Sequence, residues 1–299
     1  MSCNLINRFA VNAVTAVRAT ALCVALHLVS TGSALAEPAV ANVAPLSCYR
    51  KVSLAVPAPT AINIFLIDTT TPRDAAAMES LIAHQRKLLS HRGEQVMLLS
   101  FAGLAAGEFP REVARAFQEP APSEAVRRDR VIGDVEKLDR CLPKLWAQNL
   151  KQLVADAQRQ IASSPAGQYS EIVYALRWLA ADVLPTLPPS TPVRVLVYSD
   201  GLEYSKSGRS FYANKLPRAI DVEKELGGVN AAGLGWPAGR ATRGFDLYWL
   251  GLGALPDDAK LYLKPAELES LKSFWLGLTA RYGAKAQHIG LAVPTEALK

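Results

Sequence analysis

An apolar segment that ends abruptly in an acid and three hydroxyls constrains the fold of this chain more than any other feature. Residues 61–72 read AINIFLIDTTTP, with branched and aromatic side chains and little polar alternation. Such a run is typical of a central parallel strand that helices cover on both faces. In an open α/β sheet the ligand crevice lies beyond the carboxyl ends of the strands. We therefore expect Asp68 and the threonines that follow it to lie near a functional site.

Strand and helix patterns alternate along the rest of the chain. Buried strands are predicted at 95–102, 193–200 and 245–251, a polar edge strand at 110–118, and a last short strand at 287–291. Helices are predicted over 71–92, 130–161 with a break or kink at Pro143, 170–185, 216–226 and 265–282. This alternation predicts an α/β fold, with a doubly wound, mostly parallel sheet and helices on both faces.

The first 36 residues have the pattern of a secretory signal peptide. Arg8 and Arg18 supply positive charge, residues 19–29 are apolar, and the Ala-Leu-Ala at 34–36 matches a cleavage site. We expect cleavage after Ala36 and an exported protein, periplasmic or secreted. An uncleaved anchor is the alternative, but the apolar run is too short for the roughly 30 Å of bilayer hydrocarbon. No stable membrane span is expected after cleavage.

The cysteines suggest how the remaining chain is organised. Two of the four cysteines lie in the predicted leader, which leaves Cys48 and Cys141. In an oxidising compartment an isolated pair most simply forms one disulfide. That bond would tether a Pro- and Ala-rich lead-in at 37–60 to an α/β domain at 61–292, followed by a tail at 293–299.

The charge of the chain does not favour nucleic acid as a partner. The formal net charge is +6, and no cluster of lysines and arginines is interleaved with aromatic residues. The densest basic stretch, residues 127–130, is explained by a solvated helix face. The expected partner is another protein.

Three separated motifs resemble those of a von Willebrand factor A (vWA) domain, over about residues 61 to 291. They are DTTTP at 68–72, GQYSEI at 167–172 ahead of a predicted helix, and YSDG at 198–201. The resemblance implies a metal-ion-dependent adhesion site, in which Mg²⁺ keeps one position free for a carboxylate of the partner. Carried over by position, the ligands or water-holding residues would be Asp68, Thr70, Ser170 and Asp200.

The first motif departs from the family pattern at its last position. Pro72 stands where the family has a hydroxyl ligand, so the metal site is degenerate. Thr71 lies one residue early and fits the N-cap of the following helix. In an alternative interpretation Asp68 and Asp200 act as cap and turn residues of a fold without metal.

The function that these observations favour is an exported protein-binding module of a bacterial envelope, secretion or conjugation-type assembly. No catalysis is implied, because the sequence holds neither a Gly-x-Ser-x-Gly elbow nor a phosphate-binding loop. The alternative is a metal-dependent hydrolase or phosphatase that uses Asp68 and Asp200. Hydrolases cluster carboxylates around their metals. The number of acids near Asp68 therefore distinguishes the two hypotheses.

Overall fold

The computed structural model describes residues 46–71, 91–103, 109–162, 169–206, 208–213, 216–236, 243–253 and 263–290, with isolated positions between 79 and 90. Several predicted features lie outside these residues. They are the signal peptide at 1–36, the start of the lead-in, Pro72 with much of the helix predicted after it, Gly167 with Gln168, and the tail at 293–299.

The described strands and helices alternate along much of the chain. In order they are α1 (Cys48–Lys51), β1 (Ala61–Asp68), β2 (Glu94–Phe101), β3 (Arg111–Phe117), α2 (Glu124–Asp129), α3 (Ile132–Ala162), α4 (Ile172–Trp178), β4 (Val193–Tyr198), β5 (Tyr212–Ala213), β6 (Leu216–Pro217), α5 (Val222–Ala231), β7 (Phe245–Leu250), α6 (Pro265–Arg281) and β8 (Ala284–Ile289). A π turn and a 3₁₀ turn extend α4 to Thr186. The fold is α/β, as predicted.

The main sheet has six strands in the order β3-β2-β1-β4-β7-β8. Strand β1 lies between β2 and β4 and runs parallel to both. All eight of its residues are buried. The prediction of a central parallel strand is confirmed, and it places the end of β1 beside the end of β4.

Both faces of β1 are covered, which explains why its sequence does not alternate. Ile64 and Leu66 belong to a core cluster with residues of α4, α5 and α6. Phe65 and Ile67 belong to a second cluster with Leu153 and other residues of α3. Successive side chains of a strand point to opposite faces, so a strand buried on both sides is mostly apolar.

Strand β3 is a polar edge, as the sequence predicts. It pairs antiparallel with β2 across a register shift and is only partly buried. Arg115 and Glu112 form an ion pair on it at 2.7 Å. Charged side chains on an edge strand discourage pairing with another chain.

Of the break or kink predicted at Pro143, the break is wrong, because α3 runs from Ile132 to Ala162 without interruption. Proline removes one backbone hydrogen bond from a helix interior. Here apolar residues on both sides of it, Leu142 and Leu145, pack in a third core cluster with α1. That packing offsets the lost hydrogen bond.

The helix predicted at 216–226 begins later, as α5 at Val222. The Asp221 side chain accepts a hydrogen bond from the Lys224 backbone N–H at 3.2 Å and so caps the helix. The preceding residues form the short β5–β6 pair instead. The polar cap therefore decides where the helix starts.

The predicted disulfide is present between Cys48 and Cys141, with an S–S distance of 2.09 Å and Cα atoms 5.7 Å apart. It joins α1 to α3. A disulfide favours an oxidising compartment.

None of the described helices combines the length and the apolar character needed to cross a bilayer.

Candidate functional site

The candidate site lies at the carboxyl ends of the two central strands. Asp68 is the last residue of β1, and Ser199 follows directly after β4. Ser170 lies two residues before α4, and it pairs in an antiparallel bridge with Tyr204, each backbone N–H donating to the other's carbonyl at 2.9 Å. The sheet and this bridge bring three distant segments to one point.

Asp68 is the centre of the site and is 1% exposed. Its Oδ1 accepts hydrogen bonds from the Thr70 backbone N–H at 2.9 Å and the Thr70 hydroxyl at 2.6 Å. Its Oδ2 accepts from the Ser170 hydroxyl at 2.7 Å and the Ser199 hydroxyl at 2.8 Å. A carboxylate offers about four lone-pair positions, so this one is fully used.

The three hydroxyl groups around Asp68 can act only as hydrogen-bond acceptors toward any further group. Each hydroxyl has a single proton and gives it to Asp68, which leaves only lone pairs. Ser199 Oγ also accepts from the Gly201 backbone N–H at 3.1 Å. In the described part of the chain, no group donates to Thr70 Oγ1 or Ser170 Oγ. These two oxygens are suited to a cation or to a donor from a partner.

Asp200 provides a second buried carboxyl group at the same edge, 7% exposed. Its Oδ1 accepts from the Leu202 backbone N–H at 2.8 Å, and its own backbone N–H donates to Thr71 Oγ1 at 3.2 Å. Burial, and then the charge of Asp68, raise the pKa of Asp200 well above its ordinary value, against the opposing effect of the Leu202 N–H. Negative charge is therefore costly at this edge.

Two tryptophans hold the turn that carries Ser199 and Asp200. Trp249 Nε1 donates to the Ser199 carbonyl at 2.8 Å, and Trp275 Nε1 donates to the Gly201 carbonyl at 3.0 Å. Gly201 has φ 76°, and a Cβ there would collide with Leu252. The turn therefore requires glycine and has little freedom to move.

The structure brings together three of the four residues predicted for the metal site. Asp68, Thr70 and Ser170 form one hydrogen-bonded group, whereas the described contact of the Asp200 side chain is with Leu202. Ser199 was not predicted, although it lies in the YSDG motif, because the family pattern assigns the ligand role to the next residue, Asp200. Thr71 Oγ1 accepts from Asp200, and the helix that it was predicted to cap begins outside the described residues.

A further pair of acids fastens the loop after Asp200 to the start of α4. Glu171 Oε1 accepts from the Ser205 hydroxyl at 3.2 Å and the Lys206 N–H at 3.3 Å. Glu203 is 1% exposed, and its Oε2 accepts from the Val173 N–H at 3.0 Å. Burial raises the pKa of Glu203 to about 8, although the Val173 N–H and Arg209, 3.9 Å away, act in the opposite direction.

Stability is expected to fall with rising pH because of Glu203. At pH values below the ordinary pKa of glutamate, both the folded and the unfolded chain hold the proton. The contribution of protonated Glu203 to folding stability is therefore fully present there. Between that value and about 8 the folded chain keeps a proton that the unfolded chain releases. Over this window the free energy of unfolding should fall by up to about 1.4 kcal/mol per pH unit. Urea denaturation at a series of pH values measures the slope.

Glu203→Gln should flatten this pH dependence, because glutamine can still accept from Val173 but has no proton to release. Asp200 contributes a remaining slope of the same sign. Glu269→Gln, at an exposed position, is the control and should keep the slope of the natural chain. Equal slopes in the natural chain and in Glu203→Gln would contradict the assignment.

A group of tyrosines borders the site. Tyr169 and Tyr204 stack with ring centroids 5.0 Å apart, and Tyr212 meets Tyr204 edge-on at 6.1 Å. Tyr204 is 40% exposed. Burial, and then the charges of Asp200 and Asp68, raise the pKa of Tyr212. We call these three residues the tyrosine patch.

The oxygens at this edge have the chemistry that Mg²⁺ prefers. Mg²⁺ binds hydroxyl and carboxylate oxygens and keeps several waters, so few protein ligands are needed. Within the described ranges, no group of three or more His, Cys, Asp or Glu side chains is placed to hold a metal. A cation here would therefore contact the hydroxyl oxygens of Thr70 and Ser170, with Asp68 behind them.

No protein-family model matches this sequence, and no curated protein matches it significantly.

Proposed function

We propose that the chain is an exported protein-binding module, a vWA-like domain with a doubly wound sheet, that contacts its partner through Mg²⁺ at the carboxyl edge of β1 and β4. One observation carries the proposal: Asp68 accepts side-chain hydroxyls from three separate segments, at Thr70, Ser170 and Ser199. A residue that only capped a helix would need one local hydrogen bond. The hydrogen bonds to Asp68 instead fix the positions of several hydroxyl oxygens from different segments.

The charge balance of the site supports a cation. Among the described residues, no lysine or arginine forms an ion pair with Asp68 or Asp200. Two carboxyl groups buried side by side cannot both be charged without a large cost in free energy. A divalent cation bound at the hydroxyl oxygens would offset that cost and leave a coordination position for a carboxylate of the partner.

The tyrosine patch supports a protein as the partner. Tyrosine has a large apolar body with a polar tip, and it is enriched at the energetically important centres of interfaces. Tyr204 is held by its backbone bridge to Ser170 and by its stacking on Tyr169. A partner that reached the cation would therefore also contact a rigid aromatic surface. An envelope, secretion or conjugation-type assembly would supply such a partner.

The hydrolase hypothesis is less well supported. It predicted several carboxylates around Asp68, whereas the side chains that donate hydrogen bonds to Asp68 are hydroxyls, and Asp200 is the acid whose charge couples to it. The two oxygens of Asp68 are occupied by four hydrogen bonds, which makes Asp68 a poor nucleophile.

A thermal unfolding experiment with millimolar MgCl₂ tests the metal site. The Tm of the natural chain should rise by about 2–4 °C, because a ligand that binds only the folded state stabilises it. Ser170→Ala removes one candidate oxygen while leaving Asp68 with its other hydrogen bonds, and it should abolish the rise. Ser123→Ala, which removes the cap of α2, is the matched control and should respond as the natural chain does.

The same variants test whether the site binds protein. Peptides selected on the natural chain in Mg²⁺ should carry an acidic residue, release in EDTA and fail to bind Ser170→Ala. An equal Tm rise in Ser170→Ala would place the ion elsewhere, and no rise in any variant would overturn the metal site. Selected peptides that stay bound in EDTA would contradict the role of the cation in partner binding.

A further inference from the structure

A groove lies between α1 and α3, beside the disulfide, and the proposed function does not use it. Its volume is about 460 Å³. Cavities of this order hold small ligands in many proteins. Cys48 and Cys141 both line it, so the disulfide holds its two walls together.

The charged side chains that line the groove are all positive: Lys51 from α1, and Lys137, Arg140 and Lys144 from α3. The three on α3 are spaced by three and four residues, which places them on one helix face over about 10 Å. Glu119 contacts α1 but is only 2% exposed, and it accepts from the Cys48 N–H at 2.9 Å. Its charge is therefore used inside the protein.

Two of these cations are available to a ligand. Lys137 pairs with Asp134 at 3.0 Å, and Arg140 lies 4.0 Å from Glu136. Lys51 and Lys144 form no ion pair with any residue that the structure describes. They line the groove from different helices, Lys51 from α1 and Lys144 from α3.

Part of the groove lining is apolar. Leu46, Cys48 and Leu145 line it together with the disulfide sulfurs. Leu145 is 6% exposed and belongs to the third core cluster, whereas Leu46 is 50% exposed. A ligand that only carried charge would leave this apolar surface in water.

We propose that the groove binds a phosphate-bearing amphiphile, with its phosphate between Lys51 and Lys144 and a short apolar chain against Leu46. A lining that combines cationic and apolar side chains matches that chemistry, and a cavity of this size suits a small ligand better than an extended peptide. The ligand could be supplied by an anionic lipid surface or as a free alkyl phosphate. Both sources present the same groups to the groove.

Isothermal titration of the full chain with octyl phosphate, below its micelle concentration, tests the proposal. Octyl phosphate should bind one per chain and more tightly than inorganic phosphate. Lys51→Gln combined with Lys144→Gln should weaken binding by about fivefold or more. Leu46→Ser should weaken binding of octyl phosphate by about threefold and leave inorganic phosphate unchanged.

Lys224→Gln combined with Lys285→Gln removes the same charge from exposed positions elsewhere and is the control. It should bind as the natural chain does. An equal loss in the control pair would show that net charge alone drives binding and would overturn the site. The site would also be overturned if octyl phosphate bound no more tightly than inorganic phosphate.

Sedimentation with vesicles of phosphatidylglycerol, compared with phosphatidylcholine, distinguishes the two sources. Phosphatidylglycerol binding that the Lys51→Gln and Lys144→Gln pair abolishes would support a lipid surface. Octyl phosphate binding without vesicle binding would support a free ligand. Vesicle binding that persists in this pair, with no binding of octyl phosphate, would overturn the groove as the site.

Discussion

Replacing Asp68 with alanine is expected to lower the free energy of unfolding by about 3–5 kcal/mol. The variant would leave the hydroxyls of Thr70, Ser170 and Ser199, and one backbone N–H, without their acceptor at a buried site. Each buried polar group without a partner costs about 1–3 kcal/mol. Some of these groups would find water, so the total stays below the sum. Urea denaturation measures the change.

Asp139→Ala is the matched control for this variant. Asp139 pairs with Arg127 at 2.7 Å on the protein surface. Exposed ion pairs contribute little, so this control should lose no more than about 1 kcal/mol. Equal losses in the two variants would contradict the network around Asp68.

A double-mutant cycle gives a sharper test of the same network. Ser199→Ala should destabilise the natural chain by about 1 kcal/mol and should cost much less when Asp68 is already alanine. This is because the serine hydroxyl would then have lost its acceptor. Additive losses would show that Ser199 and Asp68 do not interact.

Removing the disulfide is the second change with a large expected effect. Cys48 and Cys141 are 93 positions apart. The chain-entropy model gives about 4–5 kcal/mol for a loop of this length. Cys48→Ser combined with Cys141→Ser should lower the free energy of unfolding by about that amount. The packing of α1 on α3, in the core cluster that includes Tyr49 and Leu138, would lose the covalent bond that holds it.

Denaturation with and without a reductant measures the contribution of the bond. The reductant should destabilise the natural chain and leave the double serine variant unchanged. Mass analysis that found two free thiols, in protein from an oxidising compartment, would contradict the disulfide. A reductant that left the natural unfolding curve unchanged would contradict its contribution to stability.

The fold was predictable where burial acts on long stretches of sequence. Residues 61–68 and 193–198 are mostly apolar, with Asn63, Asp68 and Arg194 as the polar exceptions, because helices cover both faces of these strands. The polar edge strand and the cysteine pair followed from similarly simple rules. Element boundaries were less predictable, because a single side chain decides them, as Asp221 does for α5.

The site was only partly predictable for a different reason. Asp68, Thr70, Ser170 and Asp200 were selected through a resemblance whose motifs mark strand and helix ends. The role of Ser199 depends on the register that pairs Ile67 with Tyr198, because that register brings Asp68, the last residue of β1, next to Ser199, the residue after β4. That register involves residues more than a hundred positions apart, and no local pattern shows it.

The sequence by itself determined that the chain has a buried central strand ending in an acid, because continuous apolar character can be satisfied only by burial on both faces. The tertiary structure alone decided what that acid does. It accepts three hydroxyls from three segments and orients their free lone pairs. The tertiary structure also brings α1 and α3 together to form the basic groove. Both arrangements depend on distances between segments far apart in the chain, which only folding sets.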